Sequence, residues 1–131
     1  EKFTCWVDCG TIINKLVVDG QVYGALAQGI GLALSEDFED LKKHTTLVKC
    51  GIPQIEDVPD ALDVHYAKPE YSKRPDGPFG ASGVGEGPLA APHPAILNAI
   101  FNATGARITK VPATPDVVKE ALDELASKAE A

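Results

Sequence analysis

The twenty residues after Asn14 constrain this chain more than any other stretch. They are almost uninterruptedly apolar, yet Gly20, Gly24, Gly29 and Gly31 are spread through them. Leu16, Val17, Gly20, Tyr23, Gly24, Ala27, Gly31 and Leu34 recur at spacings of three and four, which predicts an α-helix with Asn14 as its N-cap. The opposite side carries Ala25, Leu26, Ile30, Leu32 and Ala33 and is nearly as apolar, so the helix is expected to be buried all round. Each glycine costs up to ~1 kcal/mol against alanine in a helix interior. Such a helix forms because neighbours press close to it, and glycine permits that approach. Gln21 and Gln28 interrupt the run seven residues apart and therefore share a face. A buried amide needs partners for its donors and its acceptor. Either nearby backbone supplies them or a polar ligand does.

Around this helix the pattern predicts a mixed strand-helix-strand-helix-strand-helix order in one α+β domain over residues 1–131. Phe3 to Ile13 opens with strand-like alternation, and Asp8-Cys9-Gly10 marks a turn. Ser35 to Lys43 is a charged, solvated element, and His44 to Asp60 is an irregular connection. Ala61 to Ala67 alternates as a half-buried strand with His65 on its polar side. Lys68 to Pro78 is a proline-rich surface loop. A helix over Ala91 to Ala103 has Ala95, Ile96, Ala99, Ile100 and Ala103 as its core face and Gly105 as its C′ residue. Arg107 to Val111 reads as a short strand. Pro115-Asp116 opens a last helix to about Lys128, with Glu120 and Glu124 on its solvated side.

The loop Phe79-Gly80-Ala81-Ser82-Gly83-Val84-Gly85-Glu86-Gly87-Pro88 carries the chemistry. Gly83, Gly85 and Gly87 lack side chains at alternate positions, which lets the backbone pass close to a bulky partner. Glu86 is its one ionisable group. Two readings stand for it on physics alone: an acid at a helix start, favoured by the dipole, or a general base beside a bound cofactor. The loop lacks the Walker lysine and the GxGxxG spacing, so a nucleotide-binding module built on it is weakly supported.

The net charge of −7 argues against nucleic acid or an anionic membrane as a partner, since both demand a basic face. No apolar run reaches membrane-spanning length. Cys5, Cys9 and Cys50 form no CxxC pair, and His44, His65 and His93 are scattered, so no residue is assigned as a metal ligand. Reduced thiols and the absence of a signal-peptide pattern lead us to expect a cytoplasmic protein. The first residues read as a strand already in progress, which suggests a fragment of a longer polypeptide.

Three stretches together resemble the molybdenum hydroxylases, the family of aldehyde oxidoreductases and xanthine dehydrogenases. They are Asp8-Cys9-Gly10 with Ile13-Asn14, then Gly20-Gln21-Val22-Tyr23-Gly24-Ala25-Leu26-Ala27-Gln28-Gly29-Ile30-Gly31, then Gly80-Ala81-Ser82-Gly83-Val84-Gly85-Glu86-Gly87-Pro88. The third is the specific one. A Val-Gly-Glu preceded by small residues and followed by proline resembles the family's catalytic glutamate loop, and the likeness runs in order along nearly the whole chain. It is closest to bacterial aldehyde oxidoreductases of the sulfate-reducer type, in the C-terminal part of the molybdenum-binding portion.

The resemblance implies an enzyme that oxidises aldehydes to carboxylic acids with water as oxygen source. It implies a molybdopterin, commonly the cytosine dinucleotide in bacterial members, with [2Fe–2S] clusters on other segments. Glu86 is then the general base toward a metal-held hydroxide, and Gln21 bonds the pterin; Gln28 stays unassigned. Asn14 and Lys15, at the helix start, are candidates to face the dinucleotide phosphates. Ala81, Ser82, Gly83, Val84 and Gly85 are candidates to touch the cofactor through backbone atoms. The implied partners are the remainder of the molybdenum-binding region, the iron–sulfur domains and, in the full enzyme, further copies of itself. No cysteine pattern here fits an iron–sulfur cluster, so this chain alone is expected to be inactive. Gly87 departs from the larger residue expected after the glutamate, which would widen the pocket or loosen the glutamate. From a different class comes the alternative of a non-catalytic assembly module that kept the fold.

Overall fold

A computed structural model describes residues 2–68, 70 and 76–129. Its architecture is α+β: β1 (Lys2–Val7), α1 (Lys15–Leu34), β2 (Ala61–Tyr66), α2 (Pro92–Thr104) and α3 (Pro115–Ala129), with short 3-10 turns at Ile55–Asp57, Pro78–Gly80 and Gly87–Ala90. β1 and β2 pair in parallel with Cys5 opposite Val64, and α1 is the crossover between them. Cys5, Val22 and Leu26 centre the core, with Phe3, Val7, Leu62, Val64, Tyr66 and Val84 packed round them. On the other face of the sheet Trp6 stacks on His65 at 4.5 Å between ring centroids. The irregular connection from His44 to Asp60 matches expectation. Most of the expected 68–78 loop, including Pro69 and Pro75, lies outside the described residues.

β1 is shorter than the alternation suggests. It stops at Val7 because the Asp8 side chain accepts a hydrogen bond from the Gly10 amide (3.1 Å), which turns the chain. Residues 9–11 then pair with the glycine loop rather than extending the sheet. The expected strand over 107–111 is absent. That segment is irregular, with Ala106 and Ile108 buried, and it is tied to α1 by the Ala113 amide donating to the Ala33 carbonyl (2.6 Å).

α1 begins where predicted, with Asn14 extended and its Oδ1 accepting from the Val17 amide (3.3 Å). Its buried face, however, is Val22, Ala25, Leu26, Gly29, Ile30, Gly31 and Ala33. The face expected to be central is largely exposed, Leu16 by 82%. A helix apolar all round carries no directional signal, so its sequence could not say which side the sheet covers. Gly29 shows why close approach matters, since a Cβ there would sit 2.5 Å from the Pro92 Cβ. Alanine at that position would force α2 away from α1. Gln21 and Gln28 lie on the exposed side, so neither is the buried amide the sequence suggested.

α2 runs Pro92–Thr104 and ends at Gly105 with φ 76, as a C′ glycine should. Its expected core face is not covered. Ala95, Ile96, Ala99, Ile100 and Ala103 instead line an open groove of about 530 Å3 with Phe3 and Leu34. Together with the exposed Leu16, Val17 and Trp6, this leaves apolar surface of the kind that marks a site for a partner. The isolated chain is therefore expected to self-associate. Sedimentation that is sharp and independent of concentration would contradict this.

A cluster at the start of α1 makes stability pH-dependent. Asp19 Oδ1 accepts from the Tyr66 hydroxyl (2.6 Å) and from the Lys15 ammonium (2.8 Å), which also lies 5.4 Å from the Tyr66 ring centroid. These bonds, Lys15 first, hold the Asp19 carboxyl below its usual range. Burial and the neighbouring carboxylate raise the Tyr66 phenol. A depressed carboxyl stabilises the fold above its unfolded pKa of about 3.9, and the contribution is lost as pH falls through the folded value. Asp19→Asn should accordingly lower the urea midpoint at pH 7, and that deficit should shrink below about pH 4. A deficit unchanged between pH 7 and pH 2 would show that the carboxylate's charge is irrelevant.

Candidate functional site

The glycine loop is positioned by its own backbone. Gly10 and Ala81 form an antiparallel bridge, the Ser82 amide donates to the Cys9 carbonyl (2.9 Å) and the Thr11 amide donates to the Gly80 carbonyl (3.0 Å). Phe79 (φ 54) and Gly80 (φ 78) both take left-handed conformations to enter this pairing. For a phenylalanine that costs roughly 1–2 kcal/mol. Val84 then turns its side chain into the core beside Val22 and Leu26. Pairing on one side and an apolar anchor on the other fix the backbone of the next residues.

Those next residues meet α1. Gln21 Oε1 lies 3.8 Å from where a Gly85 Cβ would stand. Gly20, Gln21, Gly24, Ala25 and Gln28 of the helix and Gly85, Glu86 and Leu89 of the loop enclose a cavity of about 260 Å3. Gly20, Gly24, Gly83 and Gly87 all face open space where a side chain would point. Glu86 is exposed, with φ −98 and ψ 0, the sparsely populated bridge region in which many active-site residues sit. Its carbonyl accepts from the Leu89 amide (3.0 Å), while its carboxylate caps nothing. Glu86 is the N-cap residue of the 3-10 turn Gly87–Ala90, so the helix-start reading of its charge stands beside the general-base one, without a capping hydrogen bond from its side chain. A Cβ at Gly87 would meet nothing within 4 Å, and Gly87 is not among the residues that line the cavity.

The candidate residues separate into groups. Gln21, Gly85 and Glu86 are brought together. Ala81 and Ser82 are half-buried in the pairing with residues 9–11, and Val84 serves the core, so Gly83 and Gly85 remain as the open backbone of the loop. Asn14 and Lys15 lie outside the cavity, and both side chains are occupied, one capping the helix and the other paired with Asp19. Four lining residues are not among the candidates that the sequence offers: Gly20, Gly24, Ala25 and Leu89. The stripe Gly20, Gly24, Gln28 at spacings of four was the available signal.

Glycines with free space beside them and two amides on α1 thus face a fixed loop that presents one carboxylate. Residues 1–59 match the family described as molybdopterin cofactor-binding domain. The chain belongs to the molybdenum hydroxylase family, and its fold matches the C-terminal part of the molybdenum-binding domain in aldehyde oxidoreductases.

Over 122 residues it is 61% identical to the aldehyde oxidoreductase of Megalodesulfovibrio gigas, covering 93% of this chain and 13% of that protein. It is 37% identical over 123 residues to the gamma subunit of the 6-hydroxypseudooxynicotine dehydrogenase complex of Paenarthrobacter nicotinovorans, covering 89% of this chain and 15% of that subunit. Among solved structures, the aldehyde oxidoreductase of Desulfovibrio desulfuricans superposes with a TM-score of 0.88 at 60% identity, over 92% of this chain and 13% of that one. Quinoline 2-oxidoreductase of Pseudomonas putida 86 superposes with a TM-score of 0.80 at 32% identity, over 94% of this chain and 16% of that one. The chain therefore spans about one seventh of the length of these relatives. Among the described residues no helix is long and apolar enough to cross a membrane.

Proposed function

We propose that this chain supplies the general base and part of the cofactor cradle of a molybdenum-dependent aldehyde oxidoreductase, which converts aldehydes to carboxylic acids with oxygen drawn from water. The observation that carries this reading is the meeting of Gln21, Gly85 and Glu86 across one cavity. The open glycines fit a planar heterocycle, since a Cβ at Gly20, Gly24 or Gly83 would project into otherwise free space. Gln21 offers a donor pair and an acceptor to the ring edge of the pterin. Gly83 and Gly85 let the backbone approach it. Asn14 and Lys15 stand at the helix start, whose first amides have no intrahelical partner and suit the phosphates of a cytosine dinucleotide. The Lys15 charge is already offset by Asp19, so the helix amides do more there than the ammonium.

When bound, the molybdenum cofactor supplies the two-electron oxidation, and [2Fe–2S] clusters on other segments carry the electrons away. The part played by this chain is proton handling. Glu86 is held on a fixed backbone with its carboxylate free of intrachain caps, so an Oε can accept the proton from the attacking oxygen. The direct test assays the full-length protein with benzaldehyde and acetaldehyde and a dye as electron acceptor. The expected result is the corresponding carboxylic acid. No acid from either aldehyde, with molybdenum and pterin in place, would refute the reading.

A further inference from the structure

We propose that the free edge of β1 pairs with an extended strand from elsewhere in the longer polypeptide, whose inward side chains are apolar and fill the groove over α2. This rests on the reading of the chain as one segment of a larger enzyme, and not on the chemistry at Glu86. One bond at the end of β1 shows which way its peptide groups point. The Ala67 amide donates to the Val7 carbonyl (2.9 Å), so Val7 turns toward β2. Peptide groups alternate along a strand, so Phe3 and Cys5 also face β2, while Thr4 and Trp6 face the other edge. Among the described residues the sheet has two strands, and nothing bonds the Thr4 or Trp6 backbone. Such a row of unpaired amides and carbonyls is a template for another strand. Proline, bulges or lysine guard most natural edges. β1 has no proline, and Lys2 is drawn across the sheet to Asp63 of β2.

The groove shows what kind of strand fits. Lys2, Phe3 and Thr4 all border it, although consecutive side chains of a strand point to opposite faces. All three reach it because it runs along the strand's edge, where a further strand would lie ~4.8 Å away. Its floor is Ile96, Ala99 and Ile100 of α2. At about 30 Å3 per water, its volume of about 530 Å3 holds roughly eighteen waters against apolar walls. Apolar residues at alternate positions of the incoming strand displace them, while main-chain bonds to Thr4 and Trp6 hold its register. Parallel sheets are ordinarily interior, so an open edge on this one is the exception. The matched segment covers 13% and 15% of two relatives, which leaves most of such a polypeptide to supply the strand. A strand tethered in the same polypeptide outcompetes one from a free second copy.

The test uses the full-length protein and reads hydrogen exchange at single residues. Pairing predicts that every amide over residues 4–7 exchanges at least ~100-fold more slowly than in an unstructured chain. An open edge would protect Cys5 and Val7 and leave Thr4 and Trp6 fast. Lys2 replaced by the photocrosslinker p-benzoylphenylalanine identifies the occupant. The expected product has the mass of one chain and links position 2 to a peptide outside these 131 residues. Ala99 is exposed, so an open groove would tolerate Ala99→Glu. A filled one would not, and exchange at Thr4 and Trp6 should quicken at least about tenfold while Val22 and Leu26 stay protected. Should that variant be insoluble, Ala99→Gln carries the same comparison. Alternating protection in β1, unchanged exchange in the variant, or a link to a second copy, to another subunit or only within the 131 residues would each overturn the assignment. Neither readout depends on molybdenum, pterin or turnover, so its failure leaves the base reading of Glu86 standing, and the reverse holds too.

Discussion

Replacing Glu86 with glutamine in the full-length protein is expected to lower kcat by roughly 10²- to 10⁴-fold, with molybdenum and pterin content unchanged. Glutamine keeps the size and hydrogen-bonding reach of the side chain but cannot accept a proton at neutral pH. The backbone at Glu86 is fixed by the Glu86–Leu89 hydrogen bond and by Val84 in the core, and neither involves the carboxylate. The substitution should therefore leave the fold and the cradle alone and remove only the proton acceptor. A loss confined to kcat is the signature of an interaction made in the transition state. Near-normal turnover would favour the alternative in which this segment is an assembly module that has kept the fold without the chemistry. Loss of molybdenum from the variant would instead make Glu86 a cofactor-retaining residue.

The second large effect is expected far from any reacting atom. Gly10→Val should destabilise the fold by about 3–5 kcal/mol. Gly10 has φ 66, a region in which a β-branched residue is a clear outlier and an ordinary L-residue loses roughly 1–2 kcal/mol. A Cβ there would also overlap the Gly80 carbonyl oxygen. Relieving that overlap parts residues 9–11 from 80–82 and breaks the Thr11–Gly80 and Ser82–Cys9 hydrogen bonds, each contributing about 1 kcal/mol net. Since domain stabilities are about 5–15 kcal/mol, such a loss would leave the loop poorly held. A lower urea midpoint should accompany reduced cofactor content, because the same pairing presents Gly85 and Glu86 to α1. Gly83→Ala is the control: open space surrounds that position, so stability should barely change. A wild-type midpoint for Gly10→Val would mean that the 10–81 bridge does not hold the loop.

Much of this architecture was legible in the residues, and the parts that were not share a physical cause. Asn14 as an N-cap, Gly105 as a C′ residue and the alternation of β2 are local signals, and the structure repeats them within a residue or two. The burial of α1 and α2 was not local. The side of α1 carrying Leu16, Val17 and Tyr23, and the stripe from Ala95 to Ala103 on α2, read as core yet are open or half-covered here. Apolar patterning says that a face wants a partner, not where that partner is encoded. Residues 107–111 had strand-like composition but found no strand edge, and a bond from Ala113 to α1 settled their course. At the site, the glycine loop and Glu86 stood out because repeated glycine is costly without a reason. Its junction with Gln21 could not be read, since sixty-four intervening residues had to be folded first.

The measurement closest to the central claim is the molybdenum and pterin content of the full-length protein purified from its native source. If residues 20–28 and 83–87 form a molybdopterin cradle, molybdenum and pterin should each be found at close to one per chain. A folded full-length protein with neither, after expression where related enzymes are loaded, would contradict the account and leave the cavity beside Glu86 without its cofactor.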